Sequence, residues 1–233
     1  MKFIMKSTPK TVNIDSKVIE ELERKVESNI PLSTDEIKLF LDNICYLTRC
    51  KFTNDFDNYD FSFKCDKAVS IITHYLNDLG VETHPCSTQS EITTDIEGHS
   101  FLVARFNVMG MLIPYLIDPT YRQFFTDDKK DYLTHNGMIL KTPSPGHFIK
   151  DEDKPLVERL LIDGYHILDE NTARIYGDSF YNTKTGYTTK DFKSINGNIY
   201  INSFTKGHTP LSKTKEELES EDLLIKPQNQ KTL

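Results

Sequence analysis

A cysteine, a histidine and an aspartate of this chain fall where they could act together. Cys65 lies in Ser62-Phe63-Lys64-Cys65-Asp66-Lys67-Ala68, which reads as the start of a helix. With Ser62 as N-cap, Cys65 takes the third helical position. Cys65, Ala68, Val69, Ile72, Tyr75, Leu76 and Leu79 recur at helical spacing on one apolar face, and Gly80 follows as a stop. The thiol then points inward at the helix end that carries partial positive charge, which favours the thiolate, the nucleophilic form. Alone this is weak, because a cysteine on an apolar stripe is more often an inert small hydrophobe.

The other two residues come from an expected hairpin. Gly98-His99-Ser100-Phe101-Leu102-Val103-Ala104-Arg105-Phe106 and Met111-Leu112-Ile113-Pro114-Tyr115-Leu116-Ile117-Asp118 are strands by composition, with a turn at Asn107-Val108-Met109-Gly110. If Asn107 opposes Gly110, His99 opposes Asp118 on the same face, within reach of an imidazole–carboxylate hydrogen bond. A slip of one residue would separate them. Pro114 marks an edge or a bulge. Singly, His99 reads as a strand-end histidine and Asp118 as a turn opener in Asp-Pro; their opposition is less ordinary.

The elements that must hold these residues are those of an α+β domain. The 233 residues, 37% hydrophobic, suffice for one core of ordinary size or one domain plus a tail. The net charge of −7, with no basic stripe, argues against nucleic acid and against membrane surfaces. No run approaches the roughly 20 apolar residues of a spanning helix, and the N-terminus lacks the apolar run of a signal peptide. Cys45, Cys50, Cys65 and Cys86 are too few and too irregular for a disulfide framework and read as reduced. The expected location is cytoplasmic, or exported without a cleaved signal peptide.

In chain order, Asp15-Ser16 opens a helix with Val18, Ile19, Leu22 and Val26 on one face. Ser33 and Glu36 form a capping box for a second, with Ile37, Phe40, Leu41, Ile44 and Leu47 buried. Residues 51–61, rich in Asp, Asn and Phe, form a loop into the cysteine helix. A short strand is expected at Val81 to Thr83. His84-Pro85-Cys86 has ligand-like spacing, but no glutamate or CxxC accompanies it, and Cys45 and Cys50 lack a second pair, so neither is read as a metal site. Residues 126–151 are loop-like with one strand at Met138–Leu140. Pro155 opens a helix with Leu156, Leu160 and Leu161 that stops at Gly164, and a shorter helix spans Thr172–Tyr181. Asn198–Phe204 is a last strand. Gly177-Asp178-Ser179 resembles the serine block of GDSL-type hydrolases, but no suitable Asp-x-x-His follows. Residues 1–205 are read as one catalytic domain and 206–233 as a charged, mobile tail with a partial helix at Lys215–Leu224.

The order Cys65, His99, Asp118 resembles the transglutaminase-like branch of the papain-like cysteine enzymes, as do Gly98-His99-Ser100-Phe101 and Tyr115-Leu116-Ile117-Asp118-Pro119-Thr120. The likeness covers about residues 60–125. It implies a papain-like/transglutaminase-like α+β fold, with N-terminal helices and the nucleophile helix packed on an antiparallel sheet. It also implies a Cys-His-Asp triad without metal or cofactor. Compact members include arylamine N-acetyltransferases, biofilm-type periplasmic peptidases and toxin-type glutamine deamidases. This chain has Phe63-Lys64 in place of the Arg-Gly-Gly-x-Cys block, has no tryptophan, and has no glutamine before Cys65. Asn54 and Asn58 are the alternative oxyanion donors. The expected function is thiol-dependent acyl transfer on a protein or peptide amide, by preference hydrolysis as a deamidase or peptidase. The alternatives are a transglutaminase or other amide-forming acyltransferase, a non-catalytic binding module on the same fold, and a metal enzyme with the three residues as ligands.

Overall fold

In the computed structural model, which describes residues 8–57, 59, 61, 63–87, 99–124, 131–135, 138–142, 151–180, 192–195, 198–201 and 211–228, two capping signals start the N-terminal helices. The Asp15 carboxylate accepts from the Lys17 amide at 2.9 Å and opens α1 (Ser16–Glu27). Ser33 and Glu36 make both reciprocal bonds of the capping box ahead of α2 (Thr34–Cys50). α1 buries Ile19 and Leu22, but Val18 stays 42% exposed. At 3.6 residues per turn Val18 sits off the face that meets α2.

Every position of the predicted stripe on α3 (Cys65–Asp78) is buried, and so are Ser70, Ile71 and Thr73, so the helix is enclosed on most sides. It stops as expected at Gly80: the Gly80 amide bonds Asn77 O and the Val81 amide bonds Leu76 O, each at 3.0 Å. Its start differs from expectation. Lys64 is the N-cap, without a side-chain bond, so Cys65 is the first helical residue and not the third. Ser62 lies outside the described residues.

Eight strands follow among the described residues: β1 (Thr83–Ser87), β2 (Ser100–Val108), β3 (Met111–Ile117), β4 (Asp131–His135), β5 (Met138–Thr142), β6 (Tyr165–Ile167), β7 (Phe192–Ile195) and β8 (Asn198–Ile201). β1, β2, β3 and β6 form one antiparallel sheet in the order β1-β2-β3-β6, while β4–β5 and β7–β8 are separate pairs. β1 starts two residues later than predicted and takes His84-Pro85-Cys86 into an edge strand, where a proline is tolerated. Pro114 stands in an inner strand just before the segment Tyr115–Ile117 that pairs with β6, and its carbonyl, the one backbone group a proline can offer, accepts from the Leu168 amide at 2.9 Å.

The β2–β3 hairpin corrects the expected register. Val108 pairs with Met111 around a two-residue turn, Met109-Gly110, with φ of +53° and +82°. Positive φ at both central positions is the turn that matches strand twist, and it places Gly110 second. Asn107 therefore opposes Leu112 and not Gly110. The displacement is two residues, an even number, so each side chain keeps its face. Asp118 comes opposite Phe101 and diagonal to His99.

Two cores lie on the two faces of the sheet. Leu102, Ala104, Phe106, Val108, Tyr115 and Ile117 face α1, α2 and α3. Phe101, Val103 and Leu116 face α4 (Lys154–Asp163) and α5 (Glu170–Phe180), with Val157, Leu160, Leu161 and Tyr176. α4 has its proline in the first turn and Gly164 at its end, as predicted. The C-terminal segment departs from the expected mobile tail. Thr214 caps α6 (Lys215–Ser220), whose Leu218 is fully buried, and Ile225 joins the first core. A short amphipathic segment inside a charged stretch carries too few apolar residues to announce its docking. The architecture is mixed α and antiparallel β.

Candidate active site

His99 and Asp118 stand at the end of the sheet where β2 begins and β3 finishes. His99 Nε2 lies 2.7 Å from Asp118 Oδ2. Both are almost fully buried, at 4% and 1% exposure. α3 delivers Cys65 to the same place at 7% exposure, and its thiol is among the groups that raise the pKa of His99. The structure thus brings the three sequence-predicted residues together, although the register differs from the one expected.

A second contact fixes this convergence. Ser100, next to His99, donates to the Asp66 carboxylate, next to Cys65. The first turn of α3 is thereby tied to the first residue of β2. Cys65 is reached through two aromatic residues in an unusual backbone conformation: Phe61 and Phe63 have φ of +58° and +59°. Bulky side chains rarely adopt this region. Phe61 is buried against Tyr59, with ring centroids 5.0 Å apart, while Phe63 is 69% exposed. As the first helical residue, Cys65 has a backbone N–H with no intrahelical partner.

Asp118 is saturated with donors. Oδ2 accepts from His99 and from Tyr176 Oη, the latter at 2.8 Å, and Oδ1 accepts from the Thr120 amide at 3.0 Å and hydroxyl at 2.8 Å. Burial pushes its pKa up, but the His99 charge and the bonds from His99, Tyr176 and Thr120 outweigh burial and hold it below the usual value. For His99 burial pulls downward, and Asp118, with a contribution from Cys65, outweighs it and raises the ring to about 10. Burial, reinforced by Asp118, raises Tyr176 well above the ordinary phenol, so it keeps the proton it donates.

Sequence reasoning missed the residues around the three. Gln123, in the short turn Tyr121–Phe124, places its amide nitrogen 3.1 Å from His99 Nδ1 and 3.3 Å from Thr120 Oγ1. Thr120 could have been found, because an aspartate that bonds its own backbone two residues on is ordinary turn chemistry. Tyr176 and Gln123 carry no local signal. Arg49 of α2 is buried and donates to Pro119 O at 2.9 Å and to Ile162 O at 2.8 Å. It joins the residue after Asp118 to the end of α4. Of the alternative oxyanion donors, Asn54 is exposed and Asn58 lies outside the described residues.

Among the described residues no group of three or more His, Cys, Asp or Glu could hold a metal ion, and no helix is long and apolar enough to cross a membrane. A cavity of about 320 Å³ lined by Val26, Leu32, Gly80 and Leu112 lies at the hairpin end of the sheet, opposite His99. Gly177-Asp178-Ser179 falls inside α5.

The arrangement can do a defined kind of chemistry. With Nε2 held by Asp118, Nδ1 is the nitrogen left to take a proton from a neighbouring thiol. Comparison with family models, curated proteins and solved structures finds no match for this chain.

Proposed function

We propose that this chain is a thiol-dependent acyl-transfer enzyme on a papain-like/transglutaminase-like scaffold, acting on an amide of a protein or peptide. Cys65 is the nucleophile, His99 the base and Asp118 the residue that orients His99. The observation that carries this reading is the buried His99–Asp118 bond beside a cysteine at a helix start. His99 takes the Cys65 proton at Nδ1, and the thiolate attacks the amide carbonyl. The imidazolium returns the proton to the leaving nitrogen, and water resolves the thioester. The Cys65 backbone N–H is one oxyanion donor, and losing such a donor typically costs about 10²–10³ in rate.

Hydrolysis is the favoured outcome, by a protein glutamine deamidase or a cysteine peptidase. Incubating the protein with candidate protein substrates and following intact mass tests this. A gain of about one dalton marks exchange of a side-chain NH2 for OH, and fragmentation marks peptide cleavage. Crosslinked species mark an amine acceptor in place of water. No change in any substrate, with Cys65 no more reactive than the other cysteines, sinks the proposal.

A further inference from the structure

The proton that catalysis must move has to arrive at His99 Nδ1, and that position is already occupied. Donor counting around Thr120 shows how. The ionised Asp118 can only accept, so the Thr120 hydroxyl spends its single hydrogen on Oδ1 at 2.8 Å. Thr120 Oγ1 is then an acceptor toward Gln123, which must present N–H and not its carbonyl oxygen, at 3.3 Å. The second hydrogen of the same NH2 group points to His99 Nδ1 at 3.1 Å. The bond requires a lone pair on Nδ1, so it forms only with the neutral ring, its proton on Nε2 toward Asp118, and it opposes the charged ring that Asp118 favours. Gln123 is 5% exposed, so water competes poorly for either hydrogen.

We propose that Gln123 is a positioning residue that favours the neutral, Nε2–H form of His99 against the pull of Asp118 toward the charged ring. Resting on the triad assignment above, this latch makes proton transfer from Cys65 conditional on release of the Gln123 amide. In the step itself the S–H bond breaks and an N–H bond forms at Nδ1. The Gln123 N–H···Nδ1 bond breaks with it, because a protonated Nδ1 cannot accept.

Two opposed demands therefore meet on this ring. Asp118 from β3 and Cys65 from α3 favour a proton at Nδ1, and the Gln123 donor disfavours it. Also facing the cluster are the Tyr176 hydroxyl of α5, bonded to Asp118, the Asp66 carboxylate of α3, bonded to Ser100, and the buried Arg49 guanidinium of α2, which acts on Asp118 through its charge. The turn carrying Gln123 is anchored by Arg122, which donates to the backbone oxygens of Phe56 and Asp57 in the loop before α3. Movement of that loop is thus linked to the latch.

The test compares the full chain with Gln123→Leu, which removes the donor, and Gln123→Glu, which offers only an acceptor. The first readout is the pH titration of the His99 ring nitrogens by NMR. Gln123→Leu is expected to raise the His99 midpoint by about one pH unit, the size of one buried hydrogen bond, and Gln123→Glu to raise it further. The second readout is the iodoacetamide rate at Cys65 near neutral pH, expected to increase by roughly tenfold in Gln123→Leu. A residue that only filled space would slow this reaction when replaced. If Gln123→Leu disturbs folding, Gln123→Met replaces it under the same readouts. An unchanged or lowered His99 midpoint in folded variants overturns the latch. Cys65 labelling no faster than that of the other cysteines overturns the triad reading instead, and the NMR midpoint still decides on Gln123.

Discussion

Tyr176 reaches back 58 residues along the chain to donate its hydroxyl to Asp118 Oδ2 at 2.8 Å, on the oxygen that also faces His99. Its ring meets Phe101 edge-on at 5.0 Å and stacks on Tyr121 at 5.3 Å. α5 is thereby keyed to the candidate site through one phenol. Tyr176→Phe keeps the packing and removes the donor. A buried hydrogen bond to a charged group contributes about 1.5–3 kcal/mol, and the variant should lose an amount in that range by urea denaturation. Three of the four bonds to Asp118 remain, so the fold should persist.

Cys65 should react with iodoacetamide ahead of Cys45, Cys50 and Cys86 at neutral pH. Burial pushes Cys45 and Cys86 up to about 12, which leaves almost no thiolate there. Cys50 bonds to the Tyr46 side chain. Peptide mapping after a timed pulse reads the order. His99→Ala should slow Cys65 by at least about 100-fold, the lower range for a positioned base. Equal labelling of all four cysteines would count against an activated thiol.

Asp118→Asn tests orientation of the ring. An asparagine can offer N–H where His99 Nε2 needs an acceptor, and the ring then loses its tautomer. Loss of the correct tautomer in this type of triad costs about 10⁴ in turnover, and a drop of that size is expected on any amide substrate found by mass. The variant should still fold, since the amide oxygen keeps both Thr120 donors and the Tyr176 hydroxyl, on the other side, can turn to accept from the amide NH2.

Gly164 and Arg49 connect the same aspartate to α4. The Asp118 amide donates to Gly164 O at 2.7 Å. Gly164 has φ of +85°, and a Cβ there would lie 2.8 Å from Arg49 Nη2 and 3.0 Å from Pro119 Cα. Gly164→Ala combines left-handed strain of about 1–2 kcal/mol with a contact against backbone that cannot yield. Its melting temperature should fall further than after alanine at Gly80, whose position is open within 4 Å. Arg49→Met leaves the Pro119 and Ile162 carbonyls without that donor, at about 1–3 kcal/mol each. Both losses are measurable by thermal denaturation.

How much of this was legible in the sequence follows from the range of each signal. Caps and stops are local, and Asp15, Ser33 with Glu36, Gly80 and Gly164 all sit where their chemistry predicts. Face assignment survived the wrong hairpin register because the error was even; one residue more or less would have turned His99 and Asp118 apart. The start of α3 was misplaced because Ser62 is a good cap by type, while the chain enters the helix through Phe61 and Phe63 in positive φ, which neither residue type announces. β4 and β7 were missed because a two-stranded ladder in a polar stretch shows little alternation. Gln123, Tyr176 and Arg49 reach the site from elements whose docking no local pattern encodes.

The pH dependence of stability gives the last expectation, and its sign is fixed by the shifted pair. His99 titrates near 6.5 when unfolded and at about 10 when folded, so its charged form stabilises the fold below pH 6.5. That contribution declines as pH rises toward 10. Asp118 is held below its unfolded value of about 3.9, so its contribution is present above that value and is lost as pH falls through the folded one. The pair therefore supports the fold most between about pH 4 and 6.5. The Gln123 donor works against the upper limit, so replacing it by leucine should carry the alkaline decline to higher pH. Other groups titrate in the same range, and the informative quantity is a difference. Urea denaturation of the wild-type chain minus that of His99→Asn, from pH 4 to 10, should shrink steadily above 6.5. A difference that stays constant across this range would mean that His99 is neutral in the fold at every pH measured.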